Sequence, residues 1–362
     1  MIIGSISENI NFEKRVAITP DILKKYKSLD INICINKNYA NHLGFSDDEY
    51  RSEGVEILEN KNEVISKSDV IIQMNLLEDE DLKLLKPNQS LIGVLNPYLN
   101  IEKIKNLIEK QINCFSLELL PRITRAQSMD ILSSQANLAG YKAVIDSFSV
   151  FEKAVPMMMT AAGTISAAKV LVVGAGVAGL QAIATAKRMG AIVFATDVRA
   201  ASKEQVESLG GKFLTVESEE KLESEGGYAK ETSDDFKIKQ ESLLKETLKK
   251  IDVVICTALI PGKKAPLILK KDMIEEMQRG SVIYDLAAVQ GGNAELTKVD
   301  QIIDHNGIKI IGEKNILNKL PVSSSNLYSK NVYNFFVNLF DKEKKEIVIN
   351  LEDEIIEKTK VK

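Results

Sequence analysis

The sequence predicts an α/β chain of two domains, each built on a parallel sheet. Short apolar runs alternate with helical segments along most of the 362 residues. Strands that alternate with helices in this way form parallel sheets with helices on both faces. A chain of this length is sufficient for two domains. Three glycines, Gly174, Gly176 and Gly179, lie between an apolar run and a helical segment in the middle of the chain.

The first domain is predicted over 1–130. Helices are predicted to begin near Pro20, after the polar entry 13–20, and after Ser46, which has the character of a helix cap. A further amphipathic helix is predicted over 101–110. Apolar runs predict strands at 1–6, 31–35, 70–74, 90–95 and 112–117. This domain lacks a glycine fingerprint of its own.

The second domain, predicted over 131–325, is organised around the stretch 169–197, KVLVVGAGVAGLQAIATAKRMGAIVFATD. The pattern is strand, tight turn, helix and strand. Gly174 allows a sharp turn, Gly176 lets the backbone approach a pyrophosphate, and Gly179 lets the helix pack against the strand. The N–H groups of the first helical turn, which includes Val177 and Ala178, would face the phosphates. We therefore predict two Rossmann-like domains with a cleft between them.

An acidic residue, Asp197, ends the second strand of this stretch. It is placed to accept hydrogen bonds from an adenosine ribose and to repel a 2′-phosphate, which favours NAD(H) over NADP(H). Val198 and Arg199 follow it in the candidate site, and an arginine at this point could instead hold a 2′-phosphate. A glycine-rich loop in an ordinary α/β domain, or an S-adenosylmethionine site, is the alternative to a dinucleotide site.

The rest of the second domain continues the alternation. The segments 258–264, which opens with Ala258 and Leu259, and 286–293 follow strands and are candidate cofactor walls. Residues 217–240 are charged and contain Gly227 and Tyr228; they predict a mobile surface loop or an inserted disordered segment. Helices are predicted at 201–209 and 238–250, and strands at 212–216, 252–257, 282–286 and 308–312.

A polar segment, PRITRAQSMDILSSQANLAGY at 121–141, crowds charged and amide side chains together. Its arginines and aspartate could pair, and its glutamines and serines could bond a carboxamide. A helix is predicted over 133–147. The alternative is a polar helix start that links the two domains, and the residue types alone leave both interpretations open.

Two C-terminal segments complete the predicted organisation. Residues 326–340 have the pattern of an amphipathic helix, and 326–345 are predicted to return to the first domain and complete it. Residues 346–362 are charged and predict a loosely held, solvated tail.

Composition excludes several classes of protein. A net charge of −4 argues against a nucleic-acid interface. The N-terminus lacks the pattern of a signal peptide, and the apolar stretch 154–186 is interrupted by Lys169 and the glycines, so no membrane span is predicted. The two histidines lie outside any motif, and no metal site is predicted. Three isolated cysteines in strand-like runs predict small core residues in a reducing compartment: Cys34, Cys114 and Cys256.

Six motifs carry a resemblance to a known family. They are KRVAITP (14–20), RITRAQSMDILSSQANLAGY (122–141), VLVVGAGVAGLQAIATAKRMGA (170–191), DVRAASKEQVESLGGKF (197–213), GGYAKE (226–231) and TALIPGKKAP (257–266). With them the chain resembles the soluble NAD(H)-binding component, domain I of the alpha subunit, of proton-translocating NAD(P) transhydrogenase, in the alanine dehydrogenase/transhydrogenase superfamily. RAQSMD together with GGYAKE is specific to that component.

The resemblance implies roles for particular residues and partners. Four side chains would bracket the nicotinamide of NAD(H): Arg122, Gln127, Asp130 and Ser133. Tyr228, next to Gly227, would lie on a mobile loop that closes near the nucleotide. The chain would form a homodimer and dock onto NADP(H)-binding and membrane-spanning subunits. It would then be cytoplasmic and peripheral, held at the inner face of the cell membrane by those partners.

The nearest rival is a soluble amino- or keto-acid dehydrogenase of the alanine dehydrogenase type. That type shares an arginine with this chain, Arg15, and also needs a lysine, a histidine and an aspartate, where this chain has Asn75, Asn96 and Val289. Amide and aliphatic side chains cannot act as acid or base. Hydride transfer between two nicotinamides requires positioning and no proton transfer at the reacting carbons. A non-catalytic NAD(H)-sensing subunit remains a third interpretation.

Two stretches depart from the pattern of the family. Residues 313–331 diverge from it, and AAVQGGN (287–293) lacks the acidic residue that is usual just before its glycines. Both departures concern the pocket wall and the packing of the C-terminal helix, and neither concerns the polar segment or the fingerprint.

Overall fold

The computed structural model describes residues 1–199, 201–216, 234–259 and 263–362, without the side chains of 234–237. The chain forms two compact units. One comprises Met1–Gln135 and Leu317–Lys362, and the other Ala136–Ile316.

The first unit is built on a six-stranded sheet. Its strands are β1 (Ile2–Ser5), β2 (Asn32–Asn36), β3 (Glu56–Leu58), β4 (Val70–Asn75), β5 (Ser90–Val94) and β6 (Asn113–Ser116). They lie in the order β3-β2-β1-β4-β5-β6, and every neighbouring pair is parallel. The strand order reverses between β1 and β4, which is the Rossmann arrangement. The predicted α/β class is therefore confirmed for this unit.

Helices connect these strands. They are α1 (Pro20–Lys27), α2 (Asp47–Ser52), α3 (Lys61–Lys67), α4 (Asp79–Lys83) and α5 (Ile101–Glu109). Helix α1 begins with proline, whose missing N–H would have no partner in the first turn. Helix α2 begins after Ser46, whose hydroxyl accepts the N–H of Glu49 at 3.2 Å, so the predicted cap is confirmed. The short elements β3, α3 and α4 were not predicted.

The second unit contains a seven-stranded sheet and a separate hairpin. Helix α6 (Ile131–Val150) precedes the hairpin of β7 (Met158–Thr160) and β8 (Gly163–Ile165). The sheet strands are β9 (Lys169–Val173), β10 (Ile192–Thr196), β11 (Lys212–Phe213), β12 (Val253–Cys256), β13 (Val282–Asp285), β14 (Gln301–His305) and β15 (Ile308–Gly312). Their order is β11-β10-β9-β12-β13-β15-β14, and of the described pairs in this sheet only β14–β15 is antiparallel. The antiparallel strand β14 and the hairpin were not predicted.

Helices α7 (Val177–Arg188), α8 (Ser202–Ser208), α9 (Asp234–Leu248) and α10 (Lys271–Ile274) complete the second unit. The strand order reverses between β9 and β12, so the fingerprint glycines after β9 lie at the switch point, where ligands of such sheets bind. All three cysteines are fully buried, Cys34 in β2, Cys114 in β6 and Cys256 in β12, as predicted.

The C-terminal segment of the chain belongs to the first unit. It forms α11 (Pro321–Leu339), β16 (Phe340–Asp341), β17 (Glu346–Ile347) and α12 (Glu354–Thr359). Helix α11 contributes Tyr328, Phe335 and Phe336 to the same apolar core as Ile3 of β1.

The expectation that residues 346–362 form a loosely held tail is wrong. Ile355 and Ile356 of α12 are buried, and the N–H of Val361 donates to the carbonyl of Cys114 in β6 at 2.9 Å. Charged residues dominate the composition of this segment, but the two isoleucines anchor it. Among the described residues, no helix combines the length and apolar character that crossing a bilayer requires.

Candidate nucleotide-binding residues

The turn after β9 has the backbone that its glycines predict. Gly174 has a φ of +96°, and a Cβ there would lie 2.8 Å from Oγ1 of Thr257. The Thr257 hydroxyl donates to the carbonyl of Gly174 at 2.9 Å, and the Gly174 N–H donates to the carbonyl of Thr196 at 2.8 Å. The turn is therefore held by the ends of the two strands that flank β9.

Helix α7 begins directly after this turn, with Gly176 as its N-cap. A Cβ at Gly179 would lie 1.9 Å from the carbonyl oxygen of Gly174, so only glycine fits there. A Cβ at Gly176 would meet nothing within 4 Å. The free space beside Gly176 fits a pyrophosphate group, which the first N–H groups of α7, at Val177, Ala178 and Gly179, would bind.

Helix α6 packs closely against the start of α7. A Cβ at Gly140 would lie 2.0 Å from the carbonyl oxygen of Ala178, and the Asn137 amide donates to Oε1 of Gln181 at 3.2 Å. The position of the first turn of α7 therefore depends on α6, a dependence that the fingerprint alone did not predict.

Asp197 follows the end of β10 and is heavily hydrogen-bonded. Its Oδ2 accepts the N–H of Ala175 at 2.7 Å and Nη2 of Arg199 at 2.8 Å. Its Oδ1 accepts the N–H and Nε of Arg199, both at 2.9 Å. Burial acts to raise the pKa of Asp197, but the hydrogen bonds from Arg199 and Ala175 outweigh it and lower the pKa. The carboxylate is therefore ionised, and Arg199 is paired with it rather than directed at a 2′-phosphate.

A polar network that the sequence did not predict supports the wall after β12. The side chain of Asn293 accepts the N–H of Ala258 at 3.0 Å and donates to the Ala258 carbonyl at 2.9 Å. Asp285, fully buried at the end of β13, accepts the N–H groups of Ala287, Asn293 and Ala294. The candidate wall at Ala258 is thus fixed by Asn293, whereas the next residue, Leu259, is exposed.

The polar segment forms a 3-10 turn, Thr124–Met129, followed by α6. Asp130 caps α6, because its carboxylate accepts the N–H of Ser133 at 2.9 Å and the Ser133 hydroxyl at 2.5 Å. The structure therefore brings Asp130 and Ser133 together, while Arg122 and Gln127 have exposed side chains. Arg125 pairs with Asp353 and not with Asp130.

Two predicted site residues, Gly227 and Tyr228, lie outside the described residues, as do 260–262 of the segment after β12. The predicted loop 217–240 is outside them up to residue 233, and α9 begins at Asp234. In the described stretches of the chain, no group of three or more His, Cys, Asp or Glu side chains is arranged to hold a metal ion.

A second polar cluster lies at the carboxyl ends of β1 and β4 in the first unit. Arg15 donates from Nη2 to Glu13 at 2.7 Å and from Nη1 to Gln135 at 2.9 Å. Asn75 donates to Glu13 at 3.4 Å. Burial acts to raise the pKa of Glu13, but Arg15 more than offsets this and the pKa is lowered. Arg15 is therefore held by side chains of its own unit.

Glu8 is the other acid of this cluster. Its Oε1 accepts the N–H groups of Met74 and Asn75 at 3.1 and 3.2 Å. Burial raises the pKa of Glu8 to about 7, because desolvation disfavours the ionised form more than these bonds favour it.

Taken together, the two sheets and the turn after β9 define a Rossmann-type α/β protein with a dinucleotide fingerprint. The domain described as "Alanine dehydrogenase/PNT, N-terminal domain" matches residues 4–139, and "Alanine dehydrogenase/PNT, C-terminal domain" matches 143–361. The chain belongs to the alanine dehydrogenase/PNT family.

Within this family the chain is strongly similar to transhydrogenase subunits. It is 48% identical to the first portion of NAD(P) transhydrogenase subunit alpha of Rickettsia prowazekii, over 92% of this chain and 88% of the relative. The solved transhydrogenase structure from Sinorhizobium meliloti superposes with a TM-score of 0.88 at 40% identity, covering 99% of this chain and 98% of that one. An alanine dehydrogenase of Methanococcus maripaludis is more distant, at 28% identity over 84% of this chain and 76% of the relative.

Proposed function

We propose that the chain is the NAD(H)-binding subunit of a proton-translocating NAD(P) transhydrogenase. It passes hydride between its own NADH and NADP⁺ bound on a partner subunit, and a membrane component couples this transfer to proton translocation. The observation that carries the proposal is the arrangement at the switch point of the second sheet. There, the Gly174 turn, the start of α7 and the ionised Asp197 lie at the ends of neighbouring strands.

In this proposal the bound nicotinamide supplies the hydride. The N–H groups at the start of α7 hold the pyrophosphate, and Asp197 holds the adenosine ribose. Ala258 and Leu259 line the cofactor, with Asn293 fixing the backbone of Ala258. Arg122, Gln127, Asp130 and Ser133 orient the nicotinamide carboxamide, with Gly227 and Tyr228 near the bound nucleotide. These residues position the ring, and the transfer needs no acid or base at the reacting carbons.

The residues at the edge of the first sheet support the same assignment against a soluble amino-acid dehydrogenase. Asn75 ends β4, Asn96 follows β5, and Val289 lies in the turn after β13. Amides and an alkyl side chain at these points cannot move the proton that amine oxidation releases.

We also propose that the subunit works as a homodimer at the inner face of the cell membrane, held there by NADP(H)-binding and membrane-spanning subunits. The resemblance to transhydrogenase alpha subunits supports the partners. The hairpin of β7 and β8 supports an interface, because Met157, Met159 and Ile165 are exposed on an isolated two-stranded sheet. Light scattering of the parent and of a Met159→Asp variant tests the dimer; a monomeric parent would contradict it.

Nucleotide titration tests the cofactor assignment. NADH and NADPH are added separately and binding is followed by nucleotide fluorescence. We expect NADH to bind at least about ten-fold more tightly, since a carboxylate repels the 2′-phosphate. Pyruvate with ammonium and bound NADH provides the second arm of the experiment. NADH oxidation in that arm would contradict the proposed function and favour an alanine dehydrogenase, whereas binding without turnover agrees with it.

A further inference from the structure

Helix α11 carries three asparagines on one face, and all three are tied to the polar segment. Asn331, Asn334 and Asn338 are spaced at i, i+3 and i+7, which places them along one side of the helix. We call these three residues the asparagine row. Asparagine is a weak helix former, so three of them along one face of a helix need a local reason.

Two members of the row converge on one carbonyl of the polar segment. The side-chain amide of Asn331 donates to the carbonyl oxygen of Ser128 at 2.8 Å, and that of Asn334 donates to the same oxygen at 3.0 Å. Asn331 also accepts the hydroxyl of Ser134 at 2.7 Å. A single asparagine therefore spans the turn that contains Asp130 and joins its two sides.

The third member reaches the segment through an acid. Asn338 donates to Asp353 at 3.1 Å, and Asp353 accepts two hydrogen bonds from the guanidinium of Arg125. Asp353 is also tied to the first turn of α12, because its Oδ1 accepts the N–H of Ile355 at 2.9 Å. The C-terminal helices thus hold the polar segment at Arg125, Ser128 and Ser134.

The segment depends on these external bonds for its shape. Thr124–Met129 is a short 3-10 turn, a geometry with weaker internal hydrogen bonds than an α-helix. Gln127 and Ser128 are exposed, so local core packing does not fix them. Bonds to the carbonyl next to Gln127 and to the side chain of Ser134 therefore determine where Gln127 and Asp130 lie.

We propose that the asparagine row positions Gln127 and Asp130 for the nicotinamide, and that Asn331 and Asn334 control the hydride-transfer step without contacting the cofactor. The inference rests on the proposed function and assigns Asn331, Asn334 and Asn338 as positioning residues. They act on the rate of transfer, because misplacing a reacting ring by a fraction of an ångström slows the reaction while contacts elsewhere on the nucleotide persist.

The test compares Asn334→Ala, Asn331→Ala and the double variant in the full chain. Single-turnover hydride transfer from NADH to NADP⁺ on a purified NADP(H)-binding component is measured beside the NADH dissociation constant and the thermal unfolding midpoint. We expect the double variant to transfer hydride about ten-fold or more slowly and to bind NADH within about two-fold of the parent. Asn334→Gln, which keeps an amide donor, should recover part of the rate.

Asn100→Ala is the matched control. Asn100 also donates from its side chain to two carbonyls, those of Leu95 and Asn96, but neither of these lies in the polar segment. The proposal is overturned if the double variant transfers hydride as fast as this control, or if transfer and NADH affinity fall together. If the double variant does not fold, the more exposed Asn334→Ala decides alone on the same criteria.

The proposed function fails separately. If the parent chain transfers no hydride to the partner component, the function and this inference fall together. If the parent is active, and Gln127→Ala is slow while the asparagine variants are not, only the positioning role is wrong.

Discussion

At the scale of single residues, Asp197 and Arg199 decide how the adenosine end of a nucleotide is read. A carboxylate offers about four acceptor positions, and the four bonds from Ala175 and Arg199 already use them. A ribose can therefore bond to Asp197 only when Arg199 gives up some of its pairing. The lowered pKa of Asp197 keeps the carboxylate ionised through this exchange.

Replacing Asp197 tests this interpretation. Asp197→Asn removes the charge that accepts the ribose hydroxyls, and a hydrogen bond to a charged group contributes about 1.5–3 kcal/mol. We expect the NADH dissociation constant to rise about ten-fold or more by fluorescence titration. Asp304→Asn, which changes an acid that caps the turn between β14 and β15, is the control. Unchanged NADH affinity in Asp197→Asn would show that the ribose binds elsewhere.

Glu8 gives the first unit a pH-dependent stability. Its pKa is about 7 in the folded chain against 4.5 in the unfolded chain, so the folded chain binds the proton more tightly. The resulting stabilisation is fully present below pH 4.5 and is lost as the pH rises through about 7. One pKa unit corresponds to about 1.4 kcal/mol, so the whole effect is about 3 kcal/mol.

Glu8→Gln should remove this dependence, because the amide oxygen still accepts the N–H groups of Met74 and Asn75 and carries no charge. We expect urea unfolding to show the variant close to the parent at pH 5 and more stable than the parent at pH 8. Glu102→Gln, an exposed acid in α5, serves as the control. A variant that loses equal stability at both pH values would mean that the ionised carboxylate is needed.

At the scale of secondary-structure elements, the fingerprint glycines have different tasks. Gly179 packs against the turn itself, whereas Gly176 lies beside open space. A methyl group at Gly179 forces α7 away from β9, while a methyl group at Gly176 is compatible with the fold and fills the space proposed for the pyrophosphate.

The two alanine variants should therefore fail differently. We expect Gly179→Ala to lower the free energy of unfolding by about 1–3 kcal/mol through overpacking. Gly176→Ala should unfold at nearly the parent temperature but bind NADH about ten-fold or more weakly. Calorimetry and fluorescence titration measure the two effects. If Gly176→Ala binds NADH like the parent, no nucleotide approaches this turn.

Helix α12 is a structural element of the first unit. Ile355 has no exposed surface, and Leu351, just before the helix, is 48% exposed. We expect Ile355→Ala to lower the free energy of unfolding by about 2–5 kcal/mol, and Leu351→Ala to have little effect. Urea unfolding of the two variants measures the difference, and equal small losses would mean that α12 detaches in solution.

At the scale of the whole molecule, the sequence predicts what depends on local pattern and misses what depends on distant partners. Gly174, Gly179 and the Ser46 cap were predictable because their spacing alone sets the backbone. The strand β14 was missed because antiparallel pairing at a sheet edge leaves no distinct local signal. The charged tail was misjudged because two isoleucines outweigh the charges around them once β6 provides a surface.

The same limit applies to the candidate site. Asp197 and the polar segment carry motif signals, so both were found. Asn293 and the asparagine row act through backbone carbonyls and N–H groups that are remote in sequence, and no pattern in one chain marks such partners. Arg125 was expected to have an acidic partner within its own segment, yet its partner is Asp353, far along the chain.

Single-turnover hydride transfer tests the proposed function most directly. The full chain, loaded with NADH, is mixed rapidly with an NADP(H)-binding transhydrogenase component carrying NADP⁺, and the nicotinamide absorbance is followed. We predict that NADH is oxidised only when both proteins are present, and that Asp197→Asn lowers the extent of transfer at limiting NADH. NADH that binds to the chain and is never oxidised by the loaded partner would contradict the proposed function, and would leave an NAD(H)-sensing subunit as the better description.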